Sequence, residues 1–90
     1  MIFAWDPRKA ASNAKKHGVT FEEAVVAVLD PLALRVPDDT HGDGRELLIG
    51  RSSERRTLFV VLVEVRDDVT RIISARAATS GERRDYEEGT

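Results

Sequence analysis

Two periods divide this chain. Between Phe21 and Leu29 the apolar residues Phe21, Ala24, Val25, Val28 and Leu29 recur at helical spacing, and from residue 32 the period falls to two. The opening MIFAW is an apolar, aromatic run that predicts a short strand. DPRKAASNAKKHG follows it with start and stop signals: Asp6 to cap, Pro7 at the first helical position, and Gly18 to end the helix in the left-handed conformation. A helix over residues 7–17 is expected. TFEE then matches a capping box, in which the Thr20 hydroxyl accepts from the Glu23 N–H and the Glu23 carboxylate reaches back. Asp30 and Pro31 stop this second helix. Two helices so closely joined predict a hairpin packed on a sheet.

The period-two region divides into strands at LALRV, RELLIGR, TLFVVLVEV and VTRIISARA. The first two are separated by the polar loop PDDTHGDG, and the other turns are SSER and RDD. TLFVVLVEV is apolar on both faces for much of its length, which places it centrally in the sheet. TSGE is a second capping box, Thr79 to Glu82, opening a short helix that runs to about Glu88. The order β-α-α-β-β-β-β-α with short turns predicts an α+β fold: an antiparallel β-meander sheet covered by an N-terminal helix hairpin, with a short C-terminal helix. Strict alternation along the last strand sets Arg71 and Arg76 on opposite faces.

Composition narrows the setting. Ninety residues suit one domain, and a chain of that length buries roughly 60–65% of its unfolded surface. There is no cysteine, hence no disulfide and no thiolate site. No secretory signal and no membrane-length apolar run is present, so the expected location is cytoplasmic, away from membranes. The net charge of −2 argues mildly against binding nucleic acid, yet eleven of the fourteen basic residues are arginine. Four of them, Arg71, Arg76, Arg83 and Arg84, crowd residues 71–84 with a single acidic residue. That cluster reads as a site for an anionic ligand or as a plain solvated surface.

The stretches FAWDPRKAASNAKKHGVTFEEAVVAVLDPLAL, LLIGRSS and RIISARAATSGERRDYEE closely resemble the BrnT family, in order and spacing, over nearly the whole chain. These are toxins of bacterial type II toxin–antitoxin systems that share the fold of the RelE ribonucleases. The resemblance implies a RelE-like toxin domain, an endoribonuclease that arrests translation by cutting RNA, and a hetero-oligomer with a neutralising antitoxin of the BrnA type. All three lysines lie in the first predicted helix, so cationic roles in the sheet fall to arginine.

Metal-independent RNA cleavage turns a 2′-hydroxyl on its own 3′-phosphate, and needs a base, an acid and cations around the phosphate. Arg76, at a strand end beside a helix start, leads as a phosphate contact; the other reading pairs it with an acidic neighbour. Arg83 and Tyr86 share one side of the last helix, where Tyr86 either serves the chemistry or packs the helix on the sheet. Lys16 and His17 offer a cation and a neutral-range acid–base group, or simply complement a helix C-terminus. Glu64 reads as a general base or as an ion-pair partner of Arg56 or Arg71. Arg71, Arg56 and Arg84 are the expected RNA-backbone contacts, with Arg84 and Glu87 also reading as a surface pair. His41 among Asp38, Asp39 and Asp43 lacks a ligand spacing, and no cofactor motif occurs, so neither metal nor cofactor is expected. The rival reading is a catalytically inactive module that forms a transcription-repressing complex with a DNA-binding partner.

Overall fold

The computed structural model describes residues 1–40, 42–66 and 68–89. Strand β1 spans Ile2–Ala4, helix α1 Pro7–His17, helix α2 Phe21–Val28, and strands β2 to β5 span Leu34–Pro37, Arg45–Arg51, Thr57–Arg66 and Val69–Ala77, followed by helix α3 over Ser80–Glu88. Local signals account for the helix ends. Asp6 accepts from the Arg8 N–H, Pro7 opens α1, and Gly18 at φ 69° closes it. Thr79 and Glu82 form the complete reciprocal box expected at the start of α3. At α2 only half of the box exists: Thr20 accepts from the Glu23 N–H, while the Glu23 carboxylate turns to Ser52 and Arg56.

The sheet runs β1-β5-β4-β3-β2, with β4 at its centre. Strands β2 to β5 form the expected antiparallel meander. The sheet as a whole is mixed, because β1 adds to β5 in parallel, Ile2 opposite Val69. Short turns force the meander strands to alternate in direction, whereas no turn ties β1 to its distant neighbour. Helices α1 and α2 lie on one face and pack chiefly against the sheet, α1 over β5 and α2 over β3 and β4, with little contact between them. The core under them joins Val19, Phe21, Ala24, Ala27 and Val28 to Leu48, Leu58, Val60, Leu62, Ile72 and Ala75. Trp5 closes it edge-on against Phe21, ring centroids 5.7 Å apart. Leu29, expected on the apolar stripe, lies exposed past the helix end, and Ala27 takes the inward position. Gly50 permits the close approach of α2, since a methyl group there would collide with the Ala27 carbonyl oxygen.

A β-bulge changes the face assignment of β5. Val61 lies opposite Ser74 and Leu62 opposite Ile72, so Ile73 has no cross-strand partner. The buried residues are accordingly Thr70, Ile72 and Ala75, with one step of three. Arg71 faces Val63 and Arg76 faces Phe59, so both arginines stand on the sheet face opposite α1 and α2. Simple alternation fails here because one inserted residue reverses every orientation beyond it.

The edge of β5 past the short β1 is closed by a side chain. Buried Asn13 of α1 donates to the Ala75 carbonyl at 2.8 Å and accepts from the Ala75 N–H at 3.1 Å. Its second amide hydrogen goes to the Val19 carbonyl at 2.9 Å. Replacing Asn13 by Ala leaves three backbone groups without this partner, and a loss of about 3 kcal/mol in unfolding free energy is expected in urea titration. A loss below about 1 kcal/mol would show that water replaces the amide.

Candidate functional site

Helical geometry and the Asn13 clamp together build a cleft between α1 and β5. Lys9, Ser12, Asn13 and Lys16 stand at i, i+3, i+4 and i+7, hence on one stripe, and His17 flanks it. With Asn13 held on Ala75, the residues around it face Ile73 and Ser74 across a cleft of about 210 Å³. No carboxylate lines this space, and among the described residues none pairs with Lys9, Lys16 or His17. Its polar lining is two ammonium groups, an imidazole, two hydroxyls and an amide already engaged. Such a lining suits an anion. Ser74 also belongs to the outer sheet face, between Arg71 and Arg76 on β5.

The other sequence candidates divide among three places. Arg76 makes a bidentate pair with Glu82, at 2.9 and 3.0 Å, and its guanidinium carbon sits 4.2 Å from the Phe59 ring centroid. The Tyr86 hydroxyl donates to Asp30, which also accepts from the Arg51 N–H, so α3 is fastened to the end of α2 and of β3. Burial pushes the Asp30 carboxyl upward, but the Tyr86 hydroxyl with the Arg51 and Leu32 N–H groups outweighs it and leaves it below its ordinary value. The same bond to Asp30 raises the Tyr86 phenol. Arg83 and Arg84 are exposed on α3 near this group, and no Arg84–Glu87 ion pair forms among the described residues.

Glu64 lies on the helix-bearing face, near the end of β4. It accepts from Arg35 at 2.7 Å and from the Thr70 hydroxyl at 2.8 Å, rather than from Arg56 or Arg71. Arg35 also grips Glu46 with two bonds of 2.8 Å. Arg56 reaches the buried Glu23 through two bonds of 2.7 Å and the Gly18 carbonyl at 2.8 Å, binding the β3–β4 turn to α2. The structure thus gathers Lys16 and His17 at the cleft, sets Arg71 and Arg76 on the adjoining sheet face, and leaves Glu64 and Arg56 elsewhere. Lys9, Ser12 and Ser74 are lining residues that the sequence reading passed over. The seven-residue spacing of Lys9 and Lys16 was the available signal for the first. His41 lies outside the described residues, and among those described no three His, Asp or Glu side chains cluster as a metal site. No helix is long and apolar enough to cross a membrane among the described residues.

The fold matches a crystal structure of the ribonuclease toxin BrnT from Brucella abortus at a TM-score of 0.71 and 23% identity, covering 89% of this chain and all of that one. The class is that of a small α+β protein with a mixed five-stranded sheet and three helices. The family model described as the ribonuclease toxin, BrnT, of type II toxin–antitoxin systems matches residues 5–82, and the chain belongs to that family. A type II system implies an antitoxin protein as partner. No sequence among curated proteins matches.

The ion pairs give the fold an acid limit. Arg56, helped by the Ser52 hydroxyl and opposed by burial, holds Glu23 below its ordinary value, and Arg35 and Arg76 do the same for Glu46 and Glu82. A depressed carboxyl stabilises the fold above its unfolded pKa and loses that contribution as pH falls through the folded one. Unfolding free energy should therefore hold from pH 7 to about 5 and drop below about pH 4. In Glu23→Gln the value at pH 7 should fall by about 2 kcal/mol and the acid drop should become shallower. Urea titrations at the three pH values check both, and an unchanged acid drop would remove Glu23 as a contributor.

Proposed function

We propose that the chain is a metal-independent endoribonuclease whose α1–β5 cleft holds the scissile phosphate. The observation that carries this is the meeting of Lys9, Lys16 and His17 with Ser74 in a cleft lined by no carboxylate. In the reaction, the 2′-oxygen attacks its own 3′-phosphorus and forms a 2′,3′-cyclic phosphate, while the bond to the 5′-oxygen breaks. His17 takes the 2′-hydroxyl proton, Lys16 gives one to the departing 5′-oxygen, and Lys9 with Arg71 meets the charge that builds on the phosphate. Arg76 acts as a positioning residue, because Glu82 and Phe59 fix its guanidinium beside the path of the RNA. Arg83 and Arg84 extend the cationic rim along α3. The partner is a BrnA-type antitoxin that covers this rim in a cytoplasmic hetero-oligomer.

One observation favours the non-catalytic reading: Arg76, Tyr86, Glu64 and Arg56 all have their polar groups engaged within the protein. The two readings part in a single assay. Purified protein with EDTA should cut RNA and leave 2′,3′-cyclic phosphate ends. His17→Ala and Lys16→Ala should each lower the rate on the order of a hundredfold while melting like the parent. Full activity in both variants would move the chemistry away from the cleft. Intact RNA with the parent protein, with and without ribosomes, would favour the non-catalytic complex.

A further inference from the structure

The sheet face that carries Arg71 and Arg76 continues into a second recess. Leu34 and Val36 of β2, Leu47 and Ile49 of β3 and Phe59 of β4 line an apolar slot of about 160 Å³, and Asp85 of α3 stands on its rim. The facing pairs Leu34–Ile49, Val36–Leu47 and Ile49–Phe59 explain it: these residues share the face away from α1 and α2, and α3 covers that face only in part. The slot lies about two strand spacings, ~10 Å, from the α1–β5 cleft. Between them stand Ser74 and the Arg76–Phe59 stack.

Resting on the ribonuclease reading above, we infer that this slot receives one base of the bound RNA, and that Asp85 selects guanine. The rim chemistry decides the base. An ionised carboxylate is acceptor-only, and among the described residues the Asp85 side chain has no hydrogen-bond or ion-pair partner. On its Watson–Crick edge guanine alone presents two adjacent donors, N1–H and N2–H₂, to match two carboxylate oxygens. Adenine, cytosine and uracil each place an acceptor there, which a carboxylate repels. The apolar walls, one of them aromatic, suit a flat unstacked base. A protein side chain would fill the same walls, but Arg71, exposed and without an ion-pair partner among the described residues, stands on the same sheet face and offers its charge to a polyanion, while Glu82 opposes that of Arg76. Guanine therefore binds in the slot while the RNA backbone crosses the sheet toward the cleft.

Equilibrium binding of the four 3′-mononucleotides to the intact chain tests this without reference to cleavage. 3′-GMP should bind about tenfold tighter than 3′-AMP, 3′-CMP or 3′-UMP and shift the NMR signals of Leu47, Ile49 and Phe59. Asp85→Asn, which offers one acceptor where the carboxylate offers two, should remove that advantage; its melting curve confirms the fold. Equal binding of the four nucleotides overturns the inference, as does a preference that survives Asp85→Asn. So does a slot that an antitoxin fills and no nucleotide enters. A guanine preference in a protein that cuts no RNA would leave the slot standing and overturn the cleft chemistry. Cleavage with no base preference would do the reverse.

Discussion

The side-chain amide of Asn13 holds the architecture of this protein together at its most exposed point. Strand β1 pairs only with the first part of β5, leaving backbone donors and acceptors farther along that edge without a strand. An unpaired edge invites foreign strands. Asn13 gives Ala75 a donor and an acceptor in the arrangement a neighbouring strand would offer, and binds the turn carbonyl of Val19 as well. Because all three bonds are buried and directional, they fix α1 in rotation and height over β5. The lysines and histidine beside Asn13 then have one place to point. Protection of the edge and assembly of the cationic cleft are the same interaction.

Polar bonds of this kind recur wherever the small core gives out. Arg56 carries a buried carboxylate of α2 across to the β3–β4 turn, Arg76 binds the carboxylate that also completes the cap of α3, and Tyr86 reaches Asp30. α3 itself has no buried residue, so these contacts and its cap, rather than an apolar stripe, hold it against the sheet. The arginine cluster that stood out in the sequence is accordingly two things at once. Arg76 is a structural brace with its charge opposed, while Arg71, Arg83 and Arg84 remain at the surface.

How much of this was legible depends on how far apart the partners lie. Caps are local, so α1 and α3 were readable to their ends, and strand periodicity found β3, β4 and β5. The capping box at Thr20 was half wrong because a guanidinium 33 residues away competes better for the Glu23 carboxylate than the nearby N–H does. Nothing local announces that β1 joins β5, nor that Ile73 is an inserted residue, and the bulge in turn decided the side of Arg71. For the candidate site, residue chemistry at the end of α1 brought Lys16 and His17 forward but could not reveal the wall opposite. Ile73 and Ser74 come from the far end of the chain.

That separation has a consequence in time. One wall of the cleft is made of residues 9–17 and the other of residues 73–74, and the clamp that sets their distance spans 62 positions. Contacts so distant in sequence form only after the intervening chain is ordered. During synthesis the α1 wall emerges first and stays unpaired until residues 73–75 of β5 have followed it. A nascent chain therefore carries all its lysines and its cleft histidine without the cleft. The arrangement of cations around the cleft exists only once β5 has been made and has docked on α1.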